Sequence, residues 1–412
     1  MNILFLTIGR MESIEVHSLY PDLLRQFREQ RHDVYIVSPY ERRIGGKTSC
    51  NIENGVHMLR VKTGNITKCN IIEKGLSTLR IESQFVQAIK KYFSSIKFDL
   101  ILYSTPPITF ANVVQYVKKR DGATSYLLLK DIFPQNAVDL GMMQMTGIKG
   151  LIYKYFRMKE KKLYSLSDRI GCMSLANVEY VLNHNPEISK DRVEVCPNSI
   201  DPVDMTLSEE EKKEMRIKYD IPLDKKVFVY GGNLGKPQDV PFIVACLKAC
   251  AKLENAYFVI AGSGTDRHFL EEYMKEENPS HVKLFGQLPK SEYDKMIACC
   301  DVGLIFLDHR FTIPNFPSRL LSYMQVDLPI LACTDPNSDV GKIITQGGFG
   351  WWCESNDVST FCRQVEVVIN DIDDMFAKGK TYLNKYYTVE QAYHIITDGL
   401  HHDIHRREKH YD

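Results

Sequence analysis

Along this chain, short apolar runs rich in β-branched residues alternate with longer stretches whose apolar residues recur at helical spacing. The runs at 3–7, 33–38, 99–104, 125–130, 170–173 and 193–196 predict buried parallel strands. Amphipathic stretches at 19–31 and 80–93 lie between them, so the first half reads as repeated β-α units with helices on both faces of a sheet. The second half repeats the scheme, with strands at 227–230, 257–261, 282–285, 302–306 and 329–333 and helices at 240–253, 267–276 and 291–300. Between the halves, Pro197-Asn198-Ser199-Ile200-Asp201-Pro202 brackets turn formers with two prolines and precedes a charged helix at 208–217. The pattern therefore predicts two Rossmann-like, doubly wound parallel-sheet domains, residues 1–200 and 201–385. A helix over 389–400 and a frayed, charged tail over 401–412 follow. Ligands of such sheets bind beyond the carboxyl ends of the strands, which makes a cleft between two facing domains the expected site.

Composition narrows the class. The chain has 412 residues, 44% hydrophobic and 25% charged, which suffices for large cores and excludes disorder as the main state. Its formal net charge of +0 argues against a general nucleic-acid binder. The charge is unevenly placed: residues 1–200 hold 28 Lys and Arg against 19 Asp and Glu, and residues 201–412 hold 24 against 33. The eleven scattered cysteines form no C-x-x-C pair, so reduced thiols of a cytoplasmic protein are expected and a zinc site is not. No apolar run approaches membrane-spanning length, which leaves a peripheral contact as the expected form of any membrane association.

Three segments carry candidate chemistry. Tyr230-Gly231-Gly232-Asn233-Leu234-Gly235-Lys236-Pro237-Gln238 leaves a strand and enters a helix; it reads either as a phosphate cradle with Lys236 as its cation or as a plain glycine-rich turn. Gly262-Ser263-Gly264-Thr265-Asp266 has the same position, but taken singly it reads better as a tight turn with Thr265 or Asp266 capping the helix. Thr312-Ile313-Pro314-Asn315-Phe316-Pro317-Ser318-Arg319 is more specific. There Ser318 is expected to cap a short helix whose first turn carries Arg319, so that a guanidinium and a helix N-terminus form an anion site.

Taken in order, the segments "GGNLGKPQ", "VIAGSGT", "VKLFGQL", "CCDVGLIFL", "PSRLLSYMQVDLPILA" and "GGFGWW" resemble the donor half of family 4 glycosyltransferases of the GT-B fold. "PYERR", "KDIFPQNAVDLG" and "CPNSID" resemble bacterial enzymes of surface-polysaccharide assembly, including the N-acetylfucosamine-transferase-like group. The resemblance covers nearly the whole chain. It implies a nucleotide-sugar donor in the second domain, a glycan or lipid-linked acceptor in the first, and no cofactor. It places Lys236 and Arg319 on the donor diphosphate, with Gly232, Asn233 and Gln238 beside them. Gly286, Gln287 and Leu288 fall where such enzymes meet the nucleobase, and Pro317, Ser318 and Ser322 belong to the same donor-binding set. Two glutamates typical of the family are replaced by Pro314 and Ser322, so the sugar must be held differently here.

The implied reaction is sugar transfer with retention of anomeric configuration. Cations stabilise the leaving diphosphate, so no metal is expected. Asp131, directly after a strand of the first domain, is the carboxylate best placed to orient an acceptor hydroxyl; a helix cap or an ion pair with Lys130 or Arg120 is its alternative role. A GT-B nucleotide-sugar epimerase and a non-catalytic GT-B partner protein are the competing functions. The basic, aromatic-rich stretch 149–169 is expected to pack its apolar stripe on the sheet and to turn Lys154, Arg157, Lys161 and Lys162 toward an anionic membrane.

Overall fold

The computed structural model describes residues 1–66, 69, 71–372 and 378–408. Two compact units emerge, residues 1–201 with 388–412 and residues 202–387.

The first unit is built on eight strands: β1 (Asn2–Leu6), β2 (Asp33–Glu41), β3 (Ser49–Glu53), β4 (Val56–Thr63), β5 (Leu100–Ser104), β6 (Thr124–Leu129), β7 (Arg169–Cys172) and β8 (Val193–Val195). They lie in the order β3-β4-β2-β1-β5-β6-β7-β8. Every neighbouring pair is parallel except β3 with β4, and these two were not expected from the apolar pattern. The cause of the exception is local. Asn54 and Gly55 take φ of 49° and 80°, the left-handed pair that a tight two-residue hairpin requires, and the hairpin turns β3 back along β4. Both faces of the sheet are sealed, one by a core that includes Phe85, Phe110 and Leu163 and the other by Leu24, Phe27 and Ile396. Ile396 lies on the helix Val389–Glu408, which packs on the helix Leu19–Glu29 of the first unit. That helix runs past residue 400, where fraying was expected to begin; residues 409–412 lie outside the described residues.

The second unit carries β9 (Lys226–Asn233), β10 (Ala256–Ser263), β11 (Val282–Phe285), β12 (Val302–Phe306), β13 (Ile330–Thr334) and β14 (Gly350–Glu354), ordered β11-β10-β9-β12-β13-β14 and parallel throughout. Strand β14 went unrecognised in the sequence because glycines and tryptophans break its β-branched pattern. The order in which successive strands are added reverses between β9 and β12, just as it does between β1 and β5 in the first unit. Such switch points open crevices at the carboxyl ends of the strands. Here β9 and β12 pair only at Phe228 with Val302 and Val229 with Gly303. Above that pairing the Tyr323 hydroxyl enters, lying 3.1 Å from both Val229 O and Leu304 O.

The helix Gly150–Leu166 departs from expectation. Its buried residues include Leu163 and Tyr164, whereas Leu151, Ile152, Tyr155 and Met158 stay exposed instead of packing on the sheet. Arg157, counted among the outward cations, folds inward onto Glu160, the His184 carbonyl and Asn185 Oδ1.

Candidate functional site

In the second unit the site starts at the end of β9. Gly232 has φ of +130°, and a Cβ there would stand 3.4 Å from Arg319 Nη2, so the loop follows this path only because it leaves room for the guanidinium. Arg319 begins the helix Arg319–Gln325, and its guanidinium carbon lies 4.2 Å from the ring centroid of Tyr230, a cation-π contact. Its Nη1 is buried and has no hydrogen-bond partner. A buried, permanently charged donor without an acceptor costs several kcal/mol unless a ligand supplies one, so this atom marks a place for an anion. Two further buried donors are unpaired: the Tyr293 hydroxyl, whose ring fills the space beside Gly231, and Asn315 Nδ2. Pattern reading passed over all three of these neighbours, although Tyr230 and Asn315 stand inside the motifs that drew attention to the site.

The loop after Gly232 is held from within. Asn233 Nδ2 donates to Gln238 Oε1 at 2.8 Å, the Gly235 N–H donates to the same oxygen at 3.3 Å, and the Tyr230 hydroxyl donates to Asn233 O at 2.6 Å. Lys236 is exposed on the 3-10 turn Lys236–Gln238. The loop does not pass directly into a helix as expected. The helix Val240–Ala249 starts after that turn, and Asp239 already caps it by accepting from the Phe242 N–H. Ser318 also differs from expectation: it is exposed, holds the N-cap position in helical conformation and makes no side-chain cap bond. Pro317 and Ser322 are partly buried on either side of Arg319.

The next two strands on one side of β9, β10 and then β11, furnish the remaining candidates. Gly286 and Gln287 are exposed after β11 with Leu288 partly buried, and Ser263 Oγ donates to Gln287 Oε1 at 3.3 Å. Arg267 ties these turns together, donating to Gly262 O and Phe285 O at 2.6 Å each. The expected cap by Thr265 or Asp266 is not formed. The helix His268–Glu277 begins after Arg267, and Thr265 Oγ1 bonds to Asp266 instead.

Folding also gathers Asp239, Asp308 and His309, whose ligand atoms lie within 4.8 Å of one another. The sequence had suggested no metal cluster, since Asp239 is far in the chain from the adjacent pair Asp308 and His309. Both Asp308 oxygens are engaged by Arg310, and Asp239 Oδ1 by the Phe242 N–H. Asp308 is thus already paired with a cation of its own loop.

In the first unit, Asp131 follows β6. Neither expected ion pair exists: Lys130 Nζ bonds to Cys196 O at 3.3 Å, and Arg120 is committed to Asp121, Phe93 O and Ile96 O. Both Asp131 carboxylate oxygens accept from Asn136 Nδ2, and its N–H reaches Thr105 Oγ1 at 3.3 Å. Burial pushes its carboxyl up to about 6, against the opposing pull of the Ile132 N–H and Asn136. Burial also brings Lys130 down to about 8. A carboxyl that titrates near neutrality next to a sheet's carboxyl end has the properties of an acid-base or hydroxyl-orienting group. At the β1/β5 switch point a pocket of 520 Å³ is lined by Thr7, Arg10, Glu12, Ser13, Tyr20 and Thr105, among others. Thr105 is shared by this pocket and the Asp131 loop.

Residues 211–380 match the family model described as "Glycosyl transferases group 1". A probable glycosyltransferase, WbjE of Pseudomonas aeruginosa, is 24% identical over 350 residues, which cover 83% of this chain and 84% of that protein. Among solved structures, Anabaena HepE in complex with UDP-glucose superimposes with a TM-score of 0.69 at 13% identity, covering 97% of this chain and 99% of the other. WaaG, a glycosyltransferase involved in lipopolysaccharide biosynthesis, does so with a TM-score of 0.64 at 13% identity over 96% and 99%. The fold is that of GT-B glycosyltransferases, and the family match supports a glycosyltransferase.

Proposed function

We propose that this protein transfers a hexose-type sugar from a nucleotide-sugar to a glycan or lipid-linked acceptor in surface-polysaccharide assembly, without a metal and with retention of anomeric configuration. The observation that carries the reading is the unpaired, buried Nη1 of Arg319 beside the Gly232 loop, inside the segment that matches the family model. In this reading Arg319 and Lys236 hold the donor diphosphate. The bond between the anomeric carbon and the phosphate oxygen breaks, the acceptor oxygen bonds to that carbon, and the acceptor proton passes to the departing phosphate. Fixed positive charge at the departing oxygens lowers the barrier because it needs no rearrangement as negative charge grows there. Gln287 and its neighbours contact the base, and Ser322 contributes to the sugar side of the donor site. Asp131, beside the pocket of the first unit, orients the acceptor hydroxyl. HepE has been solved with UDP-glucose, which makes UDP-sugars the first donors to try. WaaG is involved in lipopolysaccharide biosynthesis, which makes a surface glycan the first product class to try. A lipid-linked acceptor would place the enzyme at the cytoplasmic face of a membrane, in peripheral contact with it.

The test is thermal stability in the presence of a panel of nucleotide-sugars. A cognate donor at ~100 times its dissociation constant stabilises the parent by about 2.7 kcal/mol. Arg319→Lys and Lys236→Ala should lose most of that gain while melting like the parent without ligand. A panel in which no donor shifts the parent, or shifts both variants equally, would remove the diphosphate assignment.

A further inference from the structure

Among the large apolar residues exposed in the first unit, Met1, Val16, Ile52, Leu79 and Leu175 are far apart in the sequence, but one group is clustered. Met145, Ile148, Leu151, Ile152, Tyr155 and Met158 fall within fourteen consecutive residues, with exposures from 36% at Tyr155 to 88% at Ile148. At 100° per residue, the four on the helix Gly150–Leu166 lie within about 120° of one another, forming a single stripe. The helix cannot roll to hide it. Its opposite face is fixed by buried Leu163 and Tyr164, by Phe156 edge-on to Phe133 at 5.1 Å, and by the inward bonds of Arg157 to Glu160 and Asn185. An exposed apolar patch of this continuity on a rigid helix marks an interaction surface.

Charge identifies the partner. Residues 142–159 contain Lys149, Lys154, Arg157 and Lys159 and no acidic residue. Lys149 and Lys154 are exposed beside the stripe. Lys161 and Lys162, which the pattern had offered as membrane cations, are drawn aside to Glu187 and Asn112. No described helix is long and apolar enough to cross a membrane. We propose that this face is a monotopic docking surface for an anionic phospholipid bilayer: Ile148, Leu151, Ile152, Tyr155 and Met158 enter the headgroup-acyl boundary, while Lys149 and Lys154 meet the lipid phosphates. Apolar side chains gain from leaving water for this boundary, and the lysines add an attraction that salt screens. Attachment is therefore mainly hydrophobic, whereas the sequence alone suggested a purely electrostatic one. The proposal deepens the lipid-linked part of the proposed function and rests on it for its purpose.

The experiment is co-sedimentation of the full chain with vesicles of phosphatidylcholine alone or mixed with phosphatidylglycerol, at low and high salt. The parent should pellet with the anionic vesicles and keep part of its binding at high salt. Leu151→Glu with Met158→Glu should weaken binding by about tenfold or more at both salt levels. Lys149→Gln with Lys154→Gln should lose chiefly the salt-sensitive part. The exposed pair Ile217→Glu and Leu223→Glu, in the second unit, should bind like the parent, and circular dichroism and melting verify that every variant folds. No binding by the parent, or binding indifferent to the Leu151/Met158 change, overturns the proposal. So does a dimer of the parent in sedimentation analysis that this change converts to monomer, since the occupant would then be a second copy. Nucleotide-sugar binding in vesicle-free buffer is measured on the same samples, so a failure here is separate from a failure of the glycosyltransferase reading.

Discussion

Arg319 carries the most chemical weight of any residue in the chain, because its charge is buried, stacked on Tyr230, and short of one acceptor. Arg319→Ala and Lys236→Ala are each expected to lower turnover by roughly 10²-fold or more, in line with losing one preorganised charge at a leaving group. Steady-state kinetics on folded variants checks this; parental rates would disprove the role. Asp131 gives a pH signature. Its carboxyl titrates at about 6 in the folded protein, against a usual value of 3.8, so the folded state binds the extra proton between those values. The native state is therefore favoured at low pH, and that advantage is lost as pH rises through about 6. The full shift would correspond to ~3 kcal/mol, and residual solvent contact reduces the expected cost at neutral pH to about 1–2 kcal/mol. Asp131→Asn should recover that stability at pH 7.5 in urea melts and flatten the pH dependence between 4 and 6. In kcat/KM it should abolish an acidic limb near pH 6 that the parent displays. A variant no more stable than the parent at pH 7.5, with the same acidic limb, would show Asp131 to be a fully solvated bystander.

At the scale of elements, the two faces of the helix Gly150–Leu166 make opposite predictions. Leu163→Ala, in the core, should cost 2–5 kcal/mol, roughly the usual range for a buried leucine, whereas Leu151→Ala should change stability by about 0.5 kcal/mol or less in urea melts. Equal costs would mean that the stripe is covered. This helix also shows where the sequence was legible and where it was not. Its existence follows from periodicity, and so do the strands β1, β5, β6 and β9 to β13, because each is a compact apolar run. Which face of a helix is buried depends on neighbours that periodicity does not name; here Glu160, a charged residue, is buried beneath Arg157 and the Tyr164 hydroxyl, while apolar residues are left outside. The hairpin of β3 and β4 was signalled by Asn54-Gly55 but lacks a continuous apolar run. The candidate site divides in the same way. Arg319 and the glycine loop could be read from spacing, but Tyr230, Tyr293 and the Asp308–Arg310 pair meet the site only through the fold.

For the molecule as a whole, the chain builds two switch points on one plan and gives each a different chemistry. The second unit holds a buried guanidinium among glycines, which in the proposed reading receives the donor diphosphate. The first holds a roomy pocket and a carboxyl of raised pKa, which in the same reading receive the acceptor hydroxyl. The excess of basic residues in the first half has its most exposed apolar helix as a companion, and together they fit a substrate presented at a lipid surface. Because Arg319 and Lys236 are assigned the work of a cation, transfer is expected to continue in EDTA. Loss of activity that Mg²⁺ or Mn²⁺ restores, and that Asp308→Asn also causes, would instead put a divalent ion on Asp239, Asp308 and His309.

The central claim is that sugar moves from a nucleotide to an acceptor, and mass spectrometry of the products tests it most directly. The full chain is incubated with each nucleotide-sugar of the panel, with and without a synthetic polyprenyl-diphosphate-linked saccharide. The account predicts, for at least one donor, an acceptor heavier by one sugar residue and an equal amount of released nucleoside diphosphate, both missing with Arg319→Ala. Nucleotide-sugar converted at the same rate without acceptor would point to an epimerase, and an unaltered acceptor with every donor would contradict the assignment.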